Sequence, residues 1–429
     1  MRRVPSDTAR PPEVAVLFGC VNGWRGLGQP LDELAGLAEA ADVGVAARIT
    51  QRLARPVPST YIGRGKVEEL RRAVAATGAS LAIADMDLSP AQARNLMRDV
   101  GVRIVDRSEL IMDIFARRAR TAQAQLQVEL AQLQYALPRL RGQWSHLDRY
   151  RGGGVGTRGP GEKQIETDRR LVQKRIQDLK ARLREQERRT RQSIAARAGA
   201  RQVALAGYTN TGKSTLFNAL TGADVYTADR LFATLDTRTR RWEVEGGGEL
   251  LLSDTVGFVR DLPHHLVASF HATLEEVIEA DLILHVVDAS DPDAPLRVHA
   301  VREVIAEIGA ERVPTIVVLN KADRVADPME LQALLNAERG SVVVSARTGQ
   351  GLDELAARVR GHFATQRRRF RVSIPMAAGR AMAELRRLAT IESTEASGES
   401  LTFGFSVDFR QVPRLKAWAG ATGLSLGRG

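Results

Sequence analysis

The octapeptide GYTNTGKS, residues 207–214, constrains the fold more than any other stretch of this chain. It follows the apolar run QVALAG and precedes STLFNAL, which predicts a strand, a glycine-rich turn and a helix in that order. A glycine, four residues and then Gly-Lys-Ser is the spacing of a phosphate-binding loop, whose backbone amides surround phosphate groups. We therefore expect a nucleotide site in a doubly wound, mostly parallel α/β sheet.

Four residues of this loop have specific predicted roles. Gly207 and Gly212 let the backbone approach the phosphates closely. Lys213 is predicted to reach the β- and γ-phosphates and to act in catalysis, and the Ser214 hydroxyl is predicted to bind Mg²⁺. The other loop residues predicted to contact the nucleotide are Tyr208, Thr209, Asn210, Thr211 and Thr215.

The motif DTVG, residues 254–257, ends the apolar strand ELLLSD. Asp254 is predicted to hold Mg²⁺ through its water shell, and the Gly257 amide to contact the γ-phosphate in catalysis. Thr255 and Val256 complete the predicted contacts of this motif. Because ligands of open α/β sheets bind at the carboxyl ends of the strands, this motif and the phosphate-binding loop are expected to meet.

The motif NKAD, residues 320–323, indicates which base is bound. Asp323 can accept from both the ring N–H and the exocyclic amine of guanine, whereas adenine offers no such pair of donors. An unpaired buried carboxylate would therefore penalise ATP. Asn320 is expected to tie the base loop to the phosphate loop, and a backbone amide of SAR, residues 345–347, to meet the guanine O6. The predicted base contacts are Asn320, Lys321, Ala322, Asp323, Ser345, Ala346 and Arg347.

The flanking regions differ in character from this nucleotide domain. Apolar runs such as EVAVLF, LAIADM and VRIVD alternate with amphipathic helices before residue 118, which predicts an N-terminal α/β domain. A leucine stripe, a glycine-rich segment and a long charged helix then predict a helical hairpin. The expected divisions are a loose arm at 1–12, an α/β domain at 13–118, a basic hairpin at 119–198, the nucleotide domain at 199–366 and a small α+β domain at 367–429.

The glycine-rich tip RGGGVGTRGPGEKQ lies beside many arginines and lysines of the second hairpin helix. RNA contact is the favoured interpretation, and a solvated charged surface is the alternative. The candidate RNA-binding residues are Arg151, Arg158, Lys163, Arg169, Arg170, Lys174 and Arg175.

Composition narrows the class of protein. A net charge of +11 and a pI of about 10.3 favour a polyanionic partner, although an arginine-rich proteome would give the same balance. Cys20 is the single cysteine, which excludes an internal disulfide and fits a reducing cytoplasm. The chain shows neither an apolar run of roughly 18–20 residues nor a secretory signal. We expect a cytoplasmic protein without stable membrane insertion, and a monomer.

Several quoted stretches together resemble the HflX family of bacterial GTPases. These are PSTYIGRGKVEEL, ELAQLQYALPRL, GGGVGTRGPGEKQIETDRR and FATLDTRTRR, and the resemblance covers roughly residues 13–365. It implies the four domains above, binding to the large ribosomal subunit, and GTP-dependent splitting or rescue of stalled or idle ribosomes. Some family members bind ATP through the N-terminal domain, for which STYIGRGK is the candidate here.

A threonine between the phosphate-binding loop and DTVG should close over Mg²⁺ and the γ-phosphate in the triphosphate state. Spacing alone leaves Thr234, Thr237 and Thr239 open, and the family resemblance points to Thr234 as a metal ligand and catalytic residue. The predicted nucleotide contacts of this segment are Phe232, Ala233, Thr234, Leu235 and Asp236.

Phe258 follows DTVG at the position where Ras-like enzymes have a water-orienting glutamine. An apolar side chain cannot polarise water, so we expect slow intrinsic hydrolysis that a partner accelerates. The alternative is that Phe258 packs in the core while another residue serves. Asn210 resembles the potassium-coordinating asparagine of some translation-linked GTPases, although asparagine also stabilises tight loops unaided.

Two further functions remain open from the sequence. One is a signalling switch whose GTP state recruits a protein effector without RNA. The other is an RNA-remodelling NTPase with an ATP site in the N-terminal domain. The glycine-rich basic tip and the positive net charge favour the ribosome-associated GTPase over both.

Overall fold

The computed structural model describes residues 13–21, 29–140, 160–196, 201–223, 231–232, 237–244, 248–260 and 274–428. These residues form three β-sheets and a pair of long helices. The fold class expected from the sequence, a phosphate-binding-loop α/β domain with additional domains on both sides, is confirmed. No helix in this part of the chain is long and apolar enough to cross a membrane.

The first sheet contains four parallel strands in the order β2-β1-β3-β4. Its strands are β1 (Val14–Cys20), β2 (Gly44–Gln51), β3 (Leu81–Ala84) and β4 (Arg103–Val105). The helices that accompany it are α1 (Asp32–Ala40), α2 (Arg64–Thr77), α3 (Pro90–Val100) and α4 (Arg107–Arg118). The sequence did not predict β2, because this edge strand is mostly exposed and carries no apolar run.

Helices α5 (Ala122–Arg139) and α6 (Pro160–Ala196) pack along the predicted leucine stripe. Leu130, Ile176, Leu179 and Leu183 form their shared core. Pro138 lies in the last turn of α5, where a proline ends the helix soonest.

The second sheet has six strands in the order β10-β9-β8-β5-β7-β6, all parallel except β6. Its strands are β5 (Arg201–Gly207), β6 (Arg238–Val244), β7 (Gly248–Asp254), β8 (Leu282–Asp288), β9 (Thr315–Asn320) and β10 (Val342–Val343). The accompanying helices are α7 (Lys213–Thr221), α8 (Ala294–Glu307), α9 (Pro328–Ala337) and α10 (Leu352–Ala364). The β6 strand was not predicted, because it is an arginine-rich edge strand that alternates only weakly.

The third sheet is antiparallel, in the order β12-β13-β11-β14. Its strands are β11 (Arg367–Pro375), β12 (Thr390–Ser397), β13 (Ser400–Asp408) and β14 (Gly427–Arg428), and its helices are α11 (Gly379–Leu388) and α12 (Val412–Thr422). The α+β character expected of residues 367–429 is present, in the element order strand, helix, strand, strand, helix, strand. Phe403, Phe405, Leu415 and Trp418 lie in its core.

One continuous core joins the first sheet to the second. Leu34 and Phe115 from the N-terminal side and Tyr208, Phe232 and Phe258 from the nucleotide side are all buried in it. The rings of Phe115 and Phe232 meet edge to face, with centroids 4.6 Å apart. The N-terminal α/β unit is therefore packed directly against the residues that surround the phosphate-binding loop.

The packing between α5 and α6 predicts that truncating a buried leucine of α6 destabilises the protein more than truncating an exposed one. Leu179 is fully buried, so Leu179→Ala should lower the free energy of unfolding by about 3 kcal/mol through lost burial and a residual cavity. Leu171 lies on the same helix but is 59% exposed, and Leu171→Ala should cost less than about 0.5 kcal/mol. Urea unfolding followed by helical circular dichroism measures both, and equal losses would contradict the helix pairing.

Candidate nucleotide-binding site

The phosphate-binding loop runs from the end of β5 to the start of α7. A Cβ on Gly207 would lie 2.3 Å from the carbonyl oxygen of Val286, so only glycine fits there. Gly212 has φ 86°, and a Cβ would lie 2.5 Å from Asn320 Nδ2. The two glycines let the loop pass close to β8 and β9, and Lys213 then begins α7.

Lys213 is almost fully buried beneath this loop. Its ammonium donates to the carbonyl oxygens of Tyr208 at 2.7 Å and Gly207 at 3.2 Å. Burial lowers the pKa of Lys213 to about 8, against the opposing effect of Asp254. The protein thus holds a desolvated cation that gains from a phosphate partner.

The side chains of Ser214 and Asp254 meet at the edge of the sheet. Ser214 Oγ donates to Asp254 Oδ2 at 2.7 Å, while Asp254 Oδ1 is buried and has no hydrogen-bond donor among the residues that the structure describes. Burial raises the pKa of Asp254, although Ser214 and Lys213 oppose that effect. Hard oxygen donors and one unsatisfied carboxylate oxygen fit Mg²⁺, which binds proteins through one or two carboxylates together with phosphate oxygens. Among the described residues, no three His, Cys, Asp or Glu side chains cluster, so no all-protein metal cage is found there.

The remaining DTVG residues lie between this loop and the core. Thr255 donates its hydroxyl to Leu205 O of β5 at 2.6 Å, and Val256 is buried. Both side chains therefore stabilise the packing around the sheet. A Cβ on Gly257 would lie 2.8 Å from Thr209 Cα and 2.9 Å from Lys213 Nζ. Gly257 therefore brings its backbone directly against the phosphate-binding loop.

Phe258 is hydrogen-bonded to the loop through its backbone. Its N–H donates to Gly207 O at 3.0 Å, and its carbonyl accepts from Thr209 N at 2.7 Å. Its side chain is 2% exposed and belongs to the core shared with the N-terminal unit. The side chain of Phe258 is therefore packed in the core and presents no polar group toward the nucleotide site.

The base loops are tied to the phosphate-binding loop. Asn320 Nδ2 donates to Thr211 O at 2.9 Å, and Asn320 Oδ1 accepts from Ala346 N at 3.0 Å. Asp323 Oδ1 accepts from Ser345 Oγ at 2.6 Å, which together with Arg347 keeps the pKa of Asp323 below its usual value. The Asp323 carboxylate is thus ionised and can accept two donors.

Lys321 links this base loop to Asn210. Its ammonium lies 2.7 Å from both Asp288 Oδ2 and Asn210 O. Asn210 has φ 60°, a left-handed conformation that asparagine tolerates better than most residues. Ala322 donates its N–H to Val344 O, which holds the loop against the neighbouring strand.

Some residues of the predicted nucleotide contacts lie in the core or in the sheet, and others fall outside the described residues. Phe232 lies in the shared core, and Thr239 belongs to β6, where its hydroxyl bonds Ser253 Oγ at 2.9 Å. Thr239 is therefore not in a loop as expected, because β6 extends the sheet to that residue. Thr215 lies in the first turn of α7. Outside the described residues are Ala233, Thr234, Leu235, Asp236, Arg151 and Arg158.

The other RNA-binding candidates lie on α6. Arg170 and Lys174 are exposed, Arg169 is half-buried, and the side chain of Lys163 is outside the described residues. Arg175 makes a two-pronged ion pair with Glu129 of α5, at 2.7 and 2.9 Å. Arg175 thus holds the hairpin together, unlike its exposed neighbours.

Tyr208 joins the phosphate-binding loop to the N-terminal unit, a contact that the sequence did not indicate. Its hydroxyl donates to Glu33 Oε2 at 2.5 Å and accepts from Arg260 N at 2.6 Å. Burial acts to raise the pKa of Glu33, but Arg107, Tyr208 and Arg260 together hold it below its usual value. Glu33 is therefore a half-buried carboxylate anion between the two units.

Arg107 completes this arrangement and is 2% exposed. Its guanidinium pairs with Glu33, donates to Asp85 Oδ1 at 3.0 Å and donates to Arg260 O at 3.0 Å. The Arg260 guanidinium donates to Asp85 Oδ2 at 3.1 Å. We call Glu33, Asp85, Arg107, Tyr208 and Arg260 the interdomain network. It holds the backbone N–H, the carbonyl and the side chain of Arg260, which lies three residues after Gly257.

A strand leads into a phosphate-binding loop with a buried lysine, and guanine-selective loops lie at the ends of neighbouring strands. These features define a P-loop GTP-binding protein. Comparison with known proteins agrees with this class. Residues 28–116 match the family model described as GTP-binding GTPase N-terminal, residues 118–197 the GTP-binding GTPase middle region, and residues 202–321 the 50S ribosome-binding GTPase.

Curated relatives extend over most of the chain. The GTPase HflX of Magnetococcus marinus is 45% identical over 382 residues, covering 87% of this chain and 86% of its own length. The GTPase HflX of Escherichia coli is 45% identical over 368 residues, covering 85% and 86%. A solved SsGBP complex with GDP is 24% identical, covers 82% of this chain and 99% of its own, and has a TM-score of 0.46. The chain belongs to the HflX family of GTPases, and it binds and hydrolyses GTP.

The lowered pKa of Lys213 predicts that GTP binding takes up protons. The triphosphate favours the ammonium form, so near pH 8 the chain should bind about half a proton on association. GTP affinity should fall roughly tenfold between pH 7 and pH 9, because free protein increasingly loses the ammonium proton. Calorimetry in two buffers of different ionisation enthalpy measures the uptake. Lys213→Arg stays protonated and should show none, and a wild-type chain without uptake would contradict the assignment.

Proposed function

We propose that this GTPase binds the large ribosomal subunit and uses its GTP cycle to split or rescue stalled or idle ribosomes. The interdomain network is the observation that carries the proposal. It connects the phosphate-binding loop and the segment after DTVG to the N-terminal unit, so a nucleotide-dependent shift at Gly257 is transmitted to a second domain. The ribosome as partner is supported by the description of the matching family model, 50S ribosome-binding GTPase.

The proposed roles rest on the positions of Lys213, Ser214, Asp254 and Gly257 and, for Thr234, on the family resemblance alone. Lys213 binds the β- and γ-phosphates, the Gly257 amide donates to the γ-phosphate, and Thr234 closes the site. Ser214, Thr234 and, through water, Asp254 would hold Mg²⁺, and the ion would neutralise charge on the phosphate oxygens when bound. Asp323 accepts from the guanine edge, and Asn320 fixes the distance between the base and phosphate loops.

Phe258 offers no group that orients water, so the missing part of the catalytic set comes from the partner. In the free chain Phe258 is packed in the shared core, and hydrolysis is slow. The bound subunit supplies the missing charge stabilisation, which would make turnover conditional on ribosome binding.

The exposed basic side of α6 provides the RNA contact in this proposal. Arg170 and Lys174 are exposed and lie in the first half of α6, which follows the glycine-rich segment in the sequence. Phosphate contacts release counterions, so binding weakens steeply with added salt.

Sucrose-gradient co-sedimentation with purified subunits tests this function. With a non-hydrolysable GTP analogue, the chain should migrate with the large subunit at moderate salt and release it as salt rises. Arg170→Gln with Lys174→Gln should lower the bound fraction several-fold. Arg188→Gln is the matched control, since Arg188 lies on the same helix but pairs with Glu185 at 3.0 Å. A wild-type chain that stays at the top of the gradient would favour a protein-effector switch instead.

We also propose that K⁺ binds beside Asn210 and assists hydrolysis, because Asn210 resembles the potassium-coordinating asparagine of some translation-linked GTPases. Subunit-stimulated GTP turnover should then be several-fold faster in potassium than in sodium buffer. Asn210→Gly keeps the left-handed backbone and removes the side-chain oxygen, so it should abolish the difference between the salts. Equal wild-type rates in both salts would contradict a potassium role.

A further inference from the structure

Positive charge is concentrated in the C-terminal unit. Residues 367–429 contain eleven arginines and lysines against five aspartates and glutamates, a surplus of six within a chain of net charge +11. Three of these acids are already paired: Glu384 with Arg380, Glu392 with Arg369, and Asp408 with Arg201. The unpaired cations therefore dominate the field of this unit.

The topology gathers these cations at one end of the third sheet. β11 begins where β13 ends, because Arg367 is paired with Asp408, and β12 begins beside them with Thr390 opposite Ser406. The last turn of α11 and the first turn of α12 belong to the same end. We define the basic end as Arg368, Arg386, Arg387, Arg414 and Lys416, all of them exposed. Within the described residues, none of the five has a carboxylate at ion-pair distance.

An exposed aromatic ring lies at the same end. Phe409 follows β13 directly and is 52% exposed, whereas Phe403 and Phe405 of the same strand are buried in the core. Its backbone N–H donates to Gln366 O at 3.1 Å, so the backbone is held while the ring faces solvent. An exposed ring among arginines is the pattern with which proteins stack on unpaired bases and bind the adjoining phosphates.

We propose that the basic end is a docking surface for a single-stranded RNA segment, with Phe409 stacked on a base and the arginines bound to phosphates. The inference rests on the proposed ribosomal function and adds a second RNA contact to it. Arg201, which pairs with Asp408 at 2.7 Å, begins β5, whereas the phosphate-binding loop follows the other end of that strand. The basic end thus contacts RNA far from the nucleotide. An acidic protein would also complement the positive charge of the basic end, but its binding would not require the exposed ring of Phe409.

Fluorescence anisotropy of a labelled 12-nucleotide single-stranded RNA with the full chain tests the proposal. All chains carry Arg170→Gln and Lys174→Gln to reduce binding by the hairpin. Adding Arg386→Gln and Arg387→Gln should weaken binding at least about tenfold and flatten the salt dependence by about 1.4 in log-log slope, since each single-strand phosphate contact contributes about 0.7. Phe409→Leu should weaken binding roughly tenfold with an unchanged slope. Arg380→Gln, whose side chain is paired with Glu384, should change neither quantity.

A second readout locates the RNA independently of affinity. Photocrosslinking with 5-bromouridine RNA should label the peptide that contains Phe409, and excess unlabelled RNA should abolish the label. Unchanged binding by both the double-arginine and Phe409→Leu variants would overturn the proposal. A second result would also overturn it: Phe409→Leu leaves RNA affinity unchanged, and polyglutamate of equal charge displaces the RNA. That result would indicate an acidic protein partner. Co-sedimentation of the wild-type chain with the large subunit is a separate measurement. A loss of ribosome binding can therefore be distinguished from a loss of RNA binding at the basic end.

Discussion

The arrangement of the N-terminal unit against the nucleotide domain depends on the ion pairs and hydrogen bonds of the buried Arg107 guanidinium. The guanidinium balances the carboxylates of Glu33 and Asp85 where neither is well solvated, and it holds the backbone of Arg260. Removing one partner of a buried ion pair typically costs about 3–5 kcal/mol, because the remaining charge is left uncompensated. The network therefore couples the two units through electrostatics in addition to apolar packing.

This constraint explains the apolar residue after DTVG. Phe258 fills the core between the units, and its backbone pairs with the phosphate-binding loop on both sides of Tyr208. A glutamine there would bury an amide in an apolar core, which is unfavourable without hydrogen-bond partners. The position that serves catalysis in Ras-like enzymes here fills the joint between the two units. In the proposed function, a bound partner completes the catalytic set.

Local patterns predicted most of the nucleotide domain, since β5, β8 and β9 are apolar runs buried on both faces and their carboxyl ends carry the motifs. The edge strands β2 and β6 were missed because exposed polar strands carry no strong periodicity. The interdomain network was also missed, because its members are far apart in the chain. Tyr208 and Glu33 are separated by 175 residues, and no single-sequence pattern connects a loop tyrosine to a helix glutamate at that distance.

In the proposed mechanism, the nucleotide state at the phosphate-binding loop is transmitted through Arg107 and Arg260 to the N-terminal unit. Hydrogen–deuterium exchange of the full chain, loaded with GDP or with a non-hydrolysable GTP analogue, measures this directly at α4. Amide exchange across Arg107–Arg118 should differ between the two states, and Arg107→Met should remove the difference while both nucleotides still bind. Identical exchange of α4 in the two wild-type states would contradict it.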